Sequence, residues 1–343
     1  MKTLLKEFRG EFRERVLDLL WRQWISLGVS GHGQAWTQGV IDPDALLLAS
    51  CTIARHDPRL FDAMLDWLAV NGGFVNVNRI HRMLKDESNA GGAVFASVAS
   101  AIRATDNALK WSRSAAVQGD SRKTDEALFY MPDGSPLPIV GEPDPVFQRH
   151  GLLRDRYIPR DTASAFSPEL PVNLLLRLRA FLGVNARCEI LTYLLLNGSG
   201  SPRAIARACG YYPATVSKAL SEMGASGYLS SRIDGRHRYY TLNSGAWGEA
   251  ILEGSTTSWI NWIPLFSALE QIWLFLYAPG RDAQAPLAQA SDLRRLLNAS
   301  VMEQIAESRL AIHPGDHTRH PGDALLPFFI NQVTEMLDCL APR

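Results

Sequence analysis

The stretch SPRAIARACGYYPATVSKALSEMGASGYLSSRIDGRHRYYTL, residues 201–242, decides how this 343-residue chain is read. Ser201-Pro202 supplies an N-cap followed by proline at the first helical position, so a short helix starts there. Its inward residues are Ile205 and Cys209, and Gly210 stops it. Pro213 opens a second helix, whose Val216, Leu220 and Met223 fall at helical spacing and point to the same core. Only a tight turn separates the two helices, so they cross steeply and leave the outer face of the second one free. Downstream, Tyr228 to Ile233 and Arg236 to Leu242 read as strands joined by Asp234-Gly235. That dipeptide is a strong hairpin signal because both positions of such a turn need positive φ.

Working outward, Asn185 caps a preceding helix with Ile190, Leu191, Leu194 and Leu195 on its core face, ending near Asn197-Gly198. The whole is a helix-turn-helix followed by a hairpin whose tip carries Arg232, Arg236, His237 and Arg238. Such a tip suits phosphates or a minor groove, and the exposed face of the second helix suits a major groove. Between Ser201 and Leu242, six basic residues (Arg203, Arg207, Lys218, Arg232, Arg236, Arg238) oppose Glu222 and Asp234, an excess of four. The complete chain has 35 basic and 35 acidic residues, net zero, so any attraction to nucleic acid has to be local, as here. The bland alternative is a solvated hairpin edge, where charge deters aggregation.

The runs GYYPATVSKALSEM (210–223), GYL (227–229) and DGRHRYYTL (234–242) resemble those of MarR/ArsR-type winged helix-turn-helix transcription regulators. The resemblance covers residues 184–243. It implies a cytoplasmic, usually homodimeric protein that binds specific double-stranded DNA. By position, Thr215, Ser217 and Lys218 would face DNA from the recognition helix, and Arg236 and Arg238 from the wing. One departure is Tyr212, which stands where that family usually has Ser or Thr. Tyrosine cannot cap a helix in that way, so either a neighbour compensates or Tyr212 turns toward DNA.

The expected fold is mainly α, with a winged-helix domain at 171–245 between helical regions at 1–110 and 256–343, and little sheet beyond the wing. Leu5, Phe8, Phe12, Val16 and Leu19 form an amphipathic stripe, and Asp42-Pro43 and Asp57-Pro58 each start a helix. Residues 57–130 are read either as a degenerate second winged helix or as part of a plain bundle. Residues 111–170 are a proline-rich connector with one short strand at Leu128-Phe129-Tyr130. From Pro171 a helix carries Leu174, Leu178, Phe181 and Leu182 on one face. In the last region, Ser291 is read as the cap of a helix bearing Leu293, Leu297, Val301 and Ile305. The tryptophans Trp247, Trp259, Trp262 and Trp273 are core or a subunit interface.

Other function classes find less support. Cys51, Cys188, Cys209 and Cys339 form no C-x-x-C pair, and a reduced cytoplasm fits them better than a disulfide framework. The first twenty residues are too charged for a signal peptide, and Trp262 to Ala278 is short for a membrane span. Gly28, Gly31 and Gly33 read as a turn rather than a dinucleotide loop. No nucleophile elbow, Walker loop or metalloprotease motif occurs, so neither an enzyme nor a cofactor is expected. His313, His317 and His320, with Asp316 and Asp323, have zinc or nickel ligand chemistry but sit in a Pro/Gly loop without regular spacing. A protein-interaction scaffold and a metal-responsive sensor or enzyme are the competing functions.

Overall fold

The computed structural model describes residues 2–86, 91–103, 108–116, 125–243, 251, 257–312 and 315–342. The chain is mainly helical with little sheet. Among the described residues no helix is long and apolar enough to cross a membrane.

Helix α1 (Lys2–Ser26) buries the expected stripe, with Phe12 and Val16 fully covered. It is followed by α2 (Pro43–Ile53) and α3 (Pro58–Asn71), whose N-cap aspartates Asp42 and Asp57 each accept two backbone N–H groups. Then come α4 (Val77–Asp86), α5 (Gly92–Ile102) and α6 (Ala108–Ala115). Within 57–130, β1 (Glu126–Ala127) pairs in parallel with β2 (Leu152–Leu153), not in a hairpin. The strand thus lies just before the expected 128–130. The proline-rich segment, which contains the one-turn α7 (Pro145–Gln148), is packed: Leu128, Phe129, Phe147 and Leu152 enter the main core.

That core is shared by the two ends of the chain. Phe8 meets Phe329 edge-on at 5.7 Å and Phe12 lies 6.0 Å from Trp273. The regions that are separate in sequence, 1–110 and 256–343, therefore bury their apolar faces together.

Residues 174–242 build a second, smaller core. Its elements are α8 (Leu174–Leu182), α9 (Ala186–Asn197), β3 (Ser199–Gly200), α10 (Pro202–Cys209), α11 (Pro213–Gly224), β4 (Leu229–Asp234) and β5 (His237–Leu242). Asn185 and Ser201 cap α9 and α10, accepting from the N–H groups of Arg187 and Ala204. Ile190, Leu194, Ile205, Cys209, Val216 and Leu220 point inward together. The strand order is β3-β5-β4, all antiparallel, and β3 is a two-residue strand that the sequence did not announce. Two corrections apply here. Asp234 pairs with His237, so the turn residues are Gly235-Arg236, with Gly235 at φ 58°, rather than Asp234-Gly235. Phe181 is 77% exposed, because the core face of α8 is made by Leu174, Leu175 and Leu178.

The C-terminal helices are α12 (Trp262–Leu276), α13 (Pro286–Leu296), α14 (Met302–Glu307) and α15 (Leu325–Cys339). Ser291 lies inside α13 instead of capping it, since Pro286 already occupies the first helical position. The wide turn Leu297–Val301 links α13 to α14, with Ser300 at φ 99°. Trp262 and Trp273 are buried within the chain, and Trp259 packs against Tyr193 of α9 at 5.4 Å. Intrachain packing thus removes Trp262 and Trp273 from any subunit interface, while Trp247 lies outside the described residues.

Candidate nucleic-acid interface

Helix α11 separates its residues by periodicity. Val216, Ala219 and Leu220 are buried, while Thr215, Ser217, Lys218 and Ser221 are exposed. One side is core and the other is a row of small hydroxyls with one ammonium. Such a row can donate and accept hydrogen bonds at base edges or phosphates without steric bulk.

The turn before α11 sends its two tyrosines in opposite directions. Tyr212 stands at the N-cap position and makes no side-chain cap, as its chemistry dictates. It is half exposed, and the Arg82 guanidinium of α4 lies 4.2 Å from its ring centre. Tyr211 turns inward, accepting from Asn76 Nδ2 at 2.8 Å and donating to Glu189 Oε2 at 3.0 Å. Burial is the first cause that pushes its phenol well above the ordinary value, with nearby Glu189 next. Gly210, at φ 69°, seats this turn on the rest of the molecule: a Cβ there would lie 2.8 Å from Ile263 Cδ1.

On the hairpin, Arg232, Arg236, His237 and Arg238 are all exposed. The register divides them. Arg232 pairs with Tyr239 and Asp234 with His237 on one face, whereas Arg238 pairs with Ile233 on the other. Arg236 occupies the turn. A single flat surface therefore cannot meet Arg232 and Arg238 equally.

Ion pairing revises the local charge. Arg207 bonds Glu303, at 3.3 Å, and also Glu307, and Arg187 holds Glu222 at 2.5 Å. Arg203, Lys218, Arg232, Arg236 and Arg238 form no ion pair with the described residues. The cationic excess survives, carried by five exposed side chains instead of six.

Sequence reasoning missed the joint beneath this surface. Arg179 of α8 grips Asp44 of α2 through two bonds, of 3.0 and 2.6 Å, and Glu189 Oε1 through Nε at 3.0 Å. Arg79 of α4 donates to Asp42 Oδ1 at 2.7 Å, to Asp44 Oδ2 at 2.8 Å and to the Cys209 carbonyl at the end of α10 at 2.7 Å. Burial alone would raise the Asp44 carboxyl; Arg179 and Arg79 outweigh it and hold it below the usual carboxylate range. Nothing local in the sequence marks this pairing, because Asp44 and Arg179 stand 135 residues apart.

The histidine-rich loop assembles no metal centre among the described residues. His317 Nε2 bonds Asn298 Oδ1 at 2.7 Å, and His320 stacks on Phe328 at 4.3 Å. His313 lies outside the described residues. The Cys188 thiol is pushed up to about 11, first by burial, which suits a packing role. In comparisons with known proteins, no family model matches this chain, and no curated protein or solved structure is significantly similar to it.

Proposed function

We propose that this protein is a sequence-specific DNA-binding transcription regulator, in which residues 174–242 form a winged helix-turn-helix of MarR/ArsR type. The observation that carries the reading is the element order α9-β3-α10-α11-β4-β5 with strand order β3-β5-β4, joined to an α11 whose outer face is exposed and polar. In this reading α11 enters the major groove with Thr215, Ser217 and Lys218, and the hairpin tip holds flanking backbone through Arg236 and Arg238. Arg203, Arg232 and His237 add phosphate contacts, and Tyr212 borders the groove beside Arg82. The protein acts as a homodimer, so its site is an inverted repeat.

A second reading, a protein-interaction scaffold, draws on Ile233, which is 71% exposed on the hairpin, and on the zero net charge. Selecting bound duplexes from a random pool separates the two. The regulator enriches an inverted repeat with half-sites about one helical turn, ~10 base pairs, apart. The scaffold enriches nothing.

A further inference from the structure

Among the described residues, two serine–histidine hydrogen bonds share one length and sit in different surroundings. Ser114 Oγ of α6 lies 2.8 Å from His81 Nε2 of α4, and Ser114 is 1% exposed, closed to any ligand. Ser100 Oγ of α5 lies 2.8 Å from Nε2 of His150, which follows α7, and Ser100 is only half-buried. Ser100 and His150 both line a cleft of about 680 Å³ where the ends of α5 and α6 meet α7. That volume takes a small metabolite. The first pair ties two helices together; the second has room for a reactant.

The second pair has the geometry of a nucleophile and its base. A serine hydroxyl becomes a good nucleophile when a neighbour removes its proton, and an imidazole within hydrogen-bond reach can do so. His150 is buried, and its backbone N–H donates to the Phe147 carbonyl at 2.9 Å, fixing the turn that carries the ring. The wall around the pair is cationic. Arg103, one turn beyond Ser100 at the end of α5, and Arg149, beside His150, both line the cleft and are exposed. Neither forms an ion pair with the described residues. The rest of the described lining is alanine and valine, with no carboxylate. Two guanidiniums without a competing acid suit a dianion, and their planar forks match the oxygens of a phosphate. Phosphoryl transfer asks chiefly for positioning and for cations around those oxygens.

We propose that this cleft hydrolyses a small phosphate monoester, with Ser100 as nucleophile, His150 as general base and acid, and Arg103 and Arg149 holding the phosphate oxygens. Ser100 Oγ bonds to phosphorus while the ester P–O bond breaks. His150 Nε2 takes the hydroxyl proton and gives it to the departing alkoxide. A water deprotonated by the same imidazole then cleaves the phosphoserine; its proton passes to Oγ, which restores the hydroxyl and releases phosphate. No nucleophile-elbow motif announces this serine, because it lies inside a helix and meets its base 50 residues away. The site lies outside residues 174–242 and is independent of the DNA-binding reading.

The test uses the full chain with p-nitrophenyl phosphate, p-nitrophenyl acetate and a fluorophosphonate that marks activated serines. The phosphate ester should be turned over, and peptide mass spectrometry should find the fluorophosphonate on Ser100 and not on Ser114. Ser100→Ala should abolish both turnover and label. Arg103→Ala, which alters an exposed side chain, should lower kcat/KM for the phosphate ester about 100-fold and leave the label on Ser100. His150→Gln should slow labelling at least about 100-fold. If that variant loses its helical circular dichroism, the Ser100 and Arg103 variants decide. No turnover by wild type, equal turnover by Ser100→Ala, or a label on Ser114 instead overturns the proposal. Turnover of the acetate but not of the phosphate ester overturns the substrate class, and with it the role of the two arginines.

Discussion

Two sets of arginines in this chain live under opposite conditions. Arg79 and Arg179 are each 1% exposed at the joint between the two cores, and among the described residues their guanidiniums donate to Asp42, Asp44, Glu189 or a backbone carbonyl. Arg232, Arg236 and Arg238 stand in solvent on the hairpin and pair with no carboxylate among the described residues. A buried guanidinium must be matched by acceptors, so its partners say what the fold holds together. An exposed, unmatched one contributes little to stability and keeps its charge for a partner outside the chain. The two cores differ in the same sense: the large one buries apolar faces of both the N-terminal and the C-terminal helices, while the small one leaves one side of α11 uncovered.

The comparison breaks first at the joint. Arg179→Leu leaves Asp44 and Glu189 short of a cation in a buried site and should cost about 3–5 kcal/mol, seen as a large drop in Tm by circular dichroism. A Tm within a degree or two of wild type would mean that the joint opens to water. Leu220→Ala on the inner side of α11 should cost about 2–5 kcal/mol by leaving a cavity in the small core. An unchanged Tm there would contradict the inward placement of that face.

Acid provides a gentler perturbation of the large core. His56 is held down to about 4 by burial first, then by the nearby Arg55 and Arg13. The unfolded chain therefore binds a proton on this histidine below about 6.5 that the folded chain refuses until about 4. Stability should fall as pH drops through that window, by roughly 3 kcal/mol at most. In His56→Phe, urea unfolding between pH 7 and 4.5 should lose this part of the acid sensitivity. An identical pH slope in wild type and variant would assign the acid sensitivity to other groups.

Local chemistry was legible in the sequence, and long-range chemistry was not. Asp42, Asp57, Asn185 and Ser201 act as caps within three residues of themselves, so proline and polar spacing revealed them. The inward positions Val216 and Leu220 followed from periodicity. Ser291 misled because a good capping residue also occurs inside helices, and Pro286 had already set the start. The hairpin turn slipped by one residue because Asp-Gly fits either register until the Asp234–His237 pairing fixes it. The ion network, the shared terminal core and the Arg82 cover on Tyr212 depend on residues far apart in sequence, which periodicity does not address. On the candidate interface, the sequence identified the exposed faces but not the removal of Arg207 by Glu303 and Glu307.

On the hairpin the expected stability effect shrinks and the binding effect takes over. Arg236→Ala and Arg238→Ala should each shift stability by less than about 0.5 kcal/mol. Each removed phosphate contact should lower the slope of log affinity against log salt by about one unit, for specific and random duplexes alike. Because Arg238 shares its face with Ile233 and Arg236 holds the turn, unequal slopes would tell which side of the hairpin meets the backbone. An unchanged slope in the double variant would move both arginines off the DNA.

The most direct test of the central claim compares affinity for the selected duplex with affinity for a random one, in wild type, Ser217→Ala and Lys218→Ala. Both side chains are exposed on α11, so both variants should keep the wild-type Tm. If α11 reads bases, at least one of them should lose about 1–3 kcal/mol of affinity for the selected duplex while its affinity for the random duplex changes much less. Two variants that fold normally and keep the full wild-type preference would contradict the account, and would hand the exposed face of α11 to a protein partner.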